Sequence, residues 1–240
     1  MPGKKTVIVT GGSQGIGVAV VQAFLDRGYN VVATARNASQ SGLDPRPGLA
    51  LVDGDIGLVA TAENVAHTAM EKFGSIDHVV NNAGIFSAKP FTEYTIEDFR
   101  SFVSTNLEGF IFVTQLAVKQ MLLQGTGGSV TSITASLADN PIAGVPASVP
   151  MITKGGLNAI TLSLASEYAK SNIRFNAVAP GQVDTPLHTK TPRDFMRTLS
   201  PMGSISDANE IAEAVIFLTE ARHITGEVLH VDGGAHAGRW

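Results

Sequence analysis

Thr6-Val7-Ile8-Val9-Thr10-Gly11-Gly12-Ser13-Gln14-Gly15-Ile16-Gly17, running on through an apolar-periodic stretch to Arg27-Gly28, decides how this chain is read. Five apolar or β-branched residues without a charge describe a strand buried on both faces. The Gly-rich turn then opens a helix predicted over Gly15 to Arg27. Strand, turn and helix N-terminus together direct free backbone N–H groups and the positive end of a helix dipole at one place, where a pyrophosphate can sit. Glycine belongs where the backbone must turn tightly or approach a ligand with no Cβ in the way. The plainer reading of the same residues is a Gly-rich turn with no ligand.

Outward from this unit, short apolar runs alternate with segments of helical period, the pattern of βα units around a parallel sheet. Strands are predicted at Thr6 to Thr10, Asn30 to Ala35, Leu49 to Val52, Ile76 to Val80, Ser129 to Ile133, Ile173 to Ala177 and Val228 to Val231. Helices are predicted near Gly15 to Arg27, Val59 to Phe73, Thr95 to Gln124, Pro150 to Lys170 and Ala208 to Thr219. The fold class is α/β, a doubly wound parallel sheet with helices on both faces. With 240 residues and no internal repeat or low-complexity linker, a single domain over 1–240 is expected. Gly181 to Ile205 shows no clear period and carries prolines at 186, 192 and 201, so 181–205 is read as a substrate lid.

Composition removes several classes of function. Seventeen Lys and Arg against 21 Asp and Glu give a net charge of −4 with no block of basic residues, which argues against nucleic-acid binding. The absence of Cys excludes disulfides, thiolate nucleophiles and cysteine-ligated metals, and His67, His78 and His223 show no ligand spacing, so no metal site is read. No secretory signal pattern and no long uninterrupted apolar window are present, so no membrane span is expected, and the cytoplasm is the expected compartment. At the end of the second strand, Thr34-Ala35-Arg36 stands where a carboxylate would accept hydrogen bonds from a ribose 2′-OH. Arg36 instead offers a charge-assisted bond to a 2′-phosphate, which favours NADP(H) over NAD(H); otherwise it is a solvated turn residue.

Thr10-Gly11-Xaa-Xaa-Xaa-Gly15-Ile16-Gly17, Asn81-Asn82-Ala83-Gly84, Asn106, Lys154-Gly155-Gly156, Pro180-Gly181 and the closing Gly226 to Gly234 segment resemble the short-chain dehydrogenase/reductase family over about residues 4 to 235. The resemblance implies a Rossmann-like sheet of seven strands in order 3-2-1-4-5-6-7, a nicotinamide cofactor, a small-molecule carbonyl or alcohol substrate and a homo-oligomer, tetramer or dimer. It implies cofactor binding by Gly11, Ser13, Gln14, Gly15, Ile16 and Gly17 at the phosphates. Asp55 and Ile56 would meet the adenine, and Asn82, Ala83 and Gly84 would line the adenine ribose side. Lys154 would hold the nicotinamide ribose, and Pro180, Gly181, Val183 and Thr185 would fix the carboxamide. Asn81 is expected to tie neighbouring strands together.

The catalytic set departs from the family's Asn, Ser, Tyr and Lys. Four residues before Lys154, where the Tyr belongs, stands Pro150. Ser148 can cap that helix and proline is tolerated in its first turn. The family's Ser position falls on Leu137, and a one-residue insertion in Ala138 to Ala147 restores Ser136. Asn106 would then organise a water, Ser136 polarise the carbonyl and Lys154 serve as one candidate proton donor, its pKa lowered by the helix N-terminus and a cationic cofactor. Tyr94 and His188 are the other candidates, and the chain carries no further alternative except having no donor at all. Phe86, Phe91, Val145, Leu187, Phe195 and Met196 suggest an apolar pocket. The resemblance implies a C-terminal tail that can approach a neighbouring subunit's pocket, which Trp240 would help close; otherwise Trp240 belongs to a surface tail. Apolar residues on more than one side of Pro150 to Lys170, with Gly155 and Gly156 allowing close approach, predict a subunit interface formed with Thr95 to Gln124. The reading is an NADP(H)-dependent oxidoreductase with an altered proton relay; its rival is a catalytically silent NADP(H)-binding sensor or scaffold.

Overall fold

The computed structural model describes residues 3–189 and 191–238, apart from the side chain of His188. Trp240 therefore lies outside the described residues, as does the His188 side chain proposed as a donor. Seven parallel strands, β1 (Thr6–Thr10), β2 (Asn30–Ala35), β3 (Leu49–Asp53), β4 (His78–Asn81), β5 (Gly128–Ile133), β6 (Ile173–Pro180) and β7 (Val228–Val231), form one sheet in the order β3-β2-β1-β4-β5-β6-β7. Parallel neighbours need crossovers, and the direction of winding reverses between β1 and β4, which opens a crevice beyond their C-terminal ends. The register Val7↔His78 through Val9↔Val80 sets Gly11 beside the segment that follows Asn81.

Each strand interior is apolar on both sides because helices cover both faces. On one face α1 (Gly15–Asp26) and α7 (Ala208–Glu220) pack Val20, Val21, Phe24, Ile211 and Val215 onto Val7, Val9 and Val31. On the other, α2 (Val59–Phe73), α4 (Gly109–Gln124) and α5 (Ser148–Tyr168) bring Val65, Val113, Met121 and Leu157 against Ile8, Val79 and Val130. A fully buried side chain such as Phe24 contributes about 1.5–3 kcal/mol through removal of apolar surface from water. Among the described residues, no helix is long and apolar enough to cross a membrane.

The helix predicted over Thr95 to Gln124 is interrupted. It comprises α3 (Ile96–Phe102), a π-helical turn Val103–Glu108, and α4. Two constraints act on the turn: Asn106 must reach Ile85, and Gly109 lies so close to Ile56 that an added Cβ would sit 2.8 Å from Ile56 Cγ2. The apolar pattern gives no sign of the extra residue. Helix α5 begins at Ser148 rather than Pro150, so Ser148 does not cap it; Ala147 holds the cap position without a side-chain bond. Pro150 is the third helical residue, where the N–H it lacks would have had no intrahelical acceptor. β4 starts at His78 rather than Ile76, and β6 runs on to Pro180 rather than ending at Ala177. Asn81 donates from Nδ2 to Thr114 Oγ1 at 2.9 Å, tying β4 to α4 and not to a neighbouring strand. Segment 181–205 contains a 3-10 turn at Pro186–His188 and the short helix α6 (Arg193–Arg197), and Val183 bridges Ser206.

Candidate active site

A cleft of about 890 Å³ opens over the C-terminal ends of the strands. Its floor at one end is the turn after β1. Gly11 and Gly15 take left-handed φ values of 67° and 53°, and a Cβ on Gly17 would lie 2.0 Å from the Gly11 carbonyl oxygen, so the turn closes only with glycine there. Asn82 braces it, donating from Nδ2 to the carbonyls of Thr10 at 3.0 Å and Gly11 at 3.1 Å. Thr10 Oγ1 accepts from the N–H groups of Asn82 and Ala83 at 3.1 and 3.0 Å. Gln14 caps α1 with no side-chain bond and the first turn carries no acidic residue, so the protein supplies no anion to this helix N-terminus. These features fit a dinucleotide phosphate.

Gly11, Ser13, Gln14, Gly15, Ile16, Arg36, Asp55, Ile56, Asn82, Ala83, Gly84, Ser136, Lys154, Pro180, Gly181, Val183 and Thr185 all line this one cleft. Gly17 and Asn106 do not: Gly17 packs under the turn, and Asn106 lies beneath the floor. Asn106 Oδ1 accepts from Ile85 N–H at 2.9 Å, while Nδ2 donates to the Ile85 carbonyl at 3.2 Å and to Thr153 Oγ1 at 2.9 Å. Both amide protons are thus engaged, and a water ordered by Asn106 would have to use the second Oδ1 lone pair or the backbone carbonyl. Lys154 projects from α5 and donates from Nζ to the Ile133 carbonyl at 2.8 Å. Burial pushes its amine down to about 8. The helix N-terminus is not the cause, because Lys154 lies in the second turn of α5 and dipole effects fade within the first. Ser136, buried, heads the 3-10 turn Ser136–Ala138 after β5, whereas Thr134 spends its hydroxyl on the Val178 carbonyl at 3.3 Å.

The family model described as "Enoyl-(Acyl carrier protein) reductase" matches residues 11–236. A carbonyl reductase family member 4 of Xenopus tropicalis is 34% identical over 233 residues, covering 96% of this chain and 97% of the relative. A Brucella melitensis 3-ketoacyl-(acyl-carrier-protein) reductase complexed with NADH superposes with a TM-score of 0.91 at 29% identity, covering 97% of this chain and 98% of that one. ElxO with NADP bound gives a TM-score of 0.91 at 28% identity, over 98% of this chain and 100% of that one. The chain belongs to the short-chain dehydrogenase/reductase family. It is an oxidoreductase of the carbonyl/alcohol type.

In this short-chain dehydrogenase/reductase, Pro150 stands in the first turn of α5, one turn before Lys154. The buried Pro150 brings no hydroxyl, and among the described lining residues the titratable groups are Arg36 and Asp55 at the rim near β2 and β3, and Lys154 within. Tyr94 is not at the site: its hydroxyl donates to the Ser87 carbonyl at 2.8 Å and accepts from Lys89 N–H at 3.3 Å, outside the cleft. Of the expected apolar pocket, Phe86, Val145, Leu187 and Phe195 line the cleft. Phe91 is exposed, and Met196, on α6, is buried outside the cleft lining. Three contributors were not legible beforehand: the Thr10 hydroxyl, the Ile133 carbonyl and the Thr153 hydroxyl. Thr10 ends a strand before a glycine, which is a usable signal; the other two carry none.

Proposed function

We propose that this short-chain dehydrogenase/reductase uses NADP(H) to interconvert a carbonyl and an alcohol, with Lys154 in the proton relay in place of the absent tyrosine. The carrying observation is that Lys154, buried and held by the Ile133 carbonyl, is the titratable group at the inner end of the cleft among the described residues. A bound nicotinamide supplies or accepts the hydride. The glycine turn and the start of α1 bind the diphosphate, and Asp55 and Ile56 flank the adenine. Arg36, exposed at the end of β2, pairs with a 2′-phosphate. Asp53 accepts from Ser39 N–H and Oγ at 2.8 and 2.7 Å and does not line the cleft, and Asp55 accepts from Gly57 N–H at 3.0 Å. Pro180, Gly181, Val183 and Thr185 orient the nicotinamide, and the complexes of the two structural neighbours with NADH and NADP support a cofactor of this class.

Ser136 Oγ donates to the substrate carbonyl oxygen while Lys154 binds the ribose and delivers the proton, directly or through a water. Phe86, Val145, Leu187 and Phe195 favour a small apolar substrate, over which 181–205 acts as a lid on a single domain. We propose that the protein is a homo-oligomer, dimer or tetramer. Ile111 and Leu122 on α4 and Ile152 and Leu162 on α5 are exposed, and the space around Gly155 is open.

The second reading, a silent NADP(H)-binding sensor, is favoured by Pro150. The test is calorimetry with NADPH and NADH, then turnover on a carbonyl panel for the wild type, Lys154→Met and Pro150→Tyr. Turnover lost in Lys154→Met supports the altered relay. Tight NADPH binding with activity only in Pro150→Tyr supports the sensor, and failure to bind either nucleotide sinks both.

A further inference from the structure

We infer that Asp139 and Asn158 are positioning residues that hold the Ser136 turn against the helix carrying Lys154; the inference rests on the catalytic roles proposed above. Ser136 and Lys154 come from different elements, the loop after β5 and α5, and must keep a fixed separation to act on one substrate. On the loop side, the N–H groups of Asp139 and Asn140 both donate to the Ser136 carbonyl, at 3.2 and 3.0 Å, so Asp139 moves with Ser136 as a unit. On the helix side, Asn158 lies one turn beyond Lys154 on the same face of α5. Asn158 Nδ2 donates to Asp139 Oδ2 at 2.8 Å. Among the described residues this is the one side-chain hydrogen bond joining 136–147 to α5. Neither residue lines the cleft, so any effect on chemistry passes through Ser136 and Lys154.

The surroundings concentrate dependence on the Asp139 carboxylate. His230 Nε2 stands 3.8 Å from the same Oδ2. Its ring stacks on His236 at 4.1 Å between centroids, and His236 Nδ1 lies 3.0 Å from Asp232 Oδ1. His230 Nε2 and Asn158 Oδ1 are buried with no hydrogen-bond partner among the described residues. Asp139 is therefore the anion that both the β7 histidine and the α5 amide face, and it links the C-terminal turn, the Ser136 turn and α5. A charge-assisted bond is short and directional, which suits it to fixing one separation.

The experiment uses the full chain at saturating NADPH on its best carbonyl substrate. Asn158→Asp sets two carboxylates face to face, and Asp139→Ala removes the acceptor; each is expected to lower kcat about tenfold or more, in line with the cost of a sub-ångström to 1 Å misplacement, with NADPH affinity unchanged. Asp139→Asn keeps an acceptor oxygen and is expected to retain kcat within about threefold of the wild type, given that a neutral acceptor makes a weaker bond. The double variant Asp139→Asn with Asn158→Asp reverses the bond and is expected to recover most of the loss. A merely structural role would not show this rescue. If Asn158→Asp fails to fold, the half-exposed Asp139 still allows the Asp139→Ala comparison. Wild-type kcat in Asp139→Ala, or no recovery in the double variant, overturns the inference. Wild-type kcat in Ser136→Ala instead sinks the catalytic reading beneath it, so the two failures are distinguishable.

Discussion

At the scale of single residues, the proposed chemistry turns on Lys154 and the proposed choice of cofactor on Arg36. An amine brought down to about 8 by burial still carries its proton at neutral pH and can give it up at little cost, which is what a donor to a developing alkoxide needs. Carbonyl reduction should therefore be fastest below pH 8 and decline above it as Lys154 loses its proton, with alcohol oxidation showing the opposite limb; pH profiles of kcat/KM in both directions check this. Lys154→Met should lower reduction by about a hundredfold to ten-thousandfold and flatten that limb. Arg36 is separable from the chemistry, because it stands exposed at the rim near the end of β2. A hydrogen bond to a charged group contributes about 1.5–3 kcal/mol, so Arg36→Ala should weaken NADPH binding by about 10- to 100-fold and leave NADH almost unchanged. Equal losses for both nucleotides in calorimetry would remove the assignment of Arg36 to the 2′-phosphate.

At the scale of elements, the turn between β1 and α1 sets the frame. A Cβ at Gly17 would occupy the space of the Gly11 carbonyl, so Gly17→Ala must push the turn apart. Expected is a loss of nucleotide affinity of at least about tenfold together with a fall in melting temperature, since the strain has no flexible side chain to absorb it. This part was legible in the sequence because the chemistry there belongs to the backbone, and glycines spaced between a strand and a helix announce it. The order of the strands was legible for a related reason, since alternating periods of two kinds leave few topologies. What stayed hidden is whatever depends on long-range contact. The π turn around Asn106 answers to Ile85, 21 residues away, and to Thr153, 47 residues away, and no local pattern encodes either. The family resemblance makes Asn82 a ribose neighbour, yet its amide also locks the glycine turn to the end of β4. Ser148 is the first residue of α5 and not its cap; the cap position falls on Ala147, which makes no side-chain bond.

At the scale of the whole molecule, stability carries a pH dependence that the site does not explain. His78, buried in the middle of the sheet, pairs through Nδ1 with Ser129 Oγ at 2.9 Å, and its Nε2 has no partner among the described residues. Burial, with Lys5 and Arg174 adding repulsion, pushes its pKa down from 6.5 to about 3. The native state thus holds His78 neutral over a range in which the unfolded chain takes up a proton. The stabilisation is fully present above pH 6.5 and is lost as pH falls from 6.5 toward 3, at about 1.4 kcal/mol for each unit of pH. Carboxylates held low by hydrogen bonds, such as Asp53 and Asp98, add to acid sensitivity at lower pH, and they do so equally with or without the histidine. Urea unfolding of the wild type and His78→Leu at pH 6.5 and 4.5 therefore isolates the histidine by difference. The wild type should lose about 2–3 kcal/mol more than the variant over that interval. Equal losses would mean that His78 titrates normally in the folded protein, and that the polar cluster at the base of the sheet admits its charge.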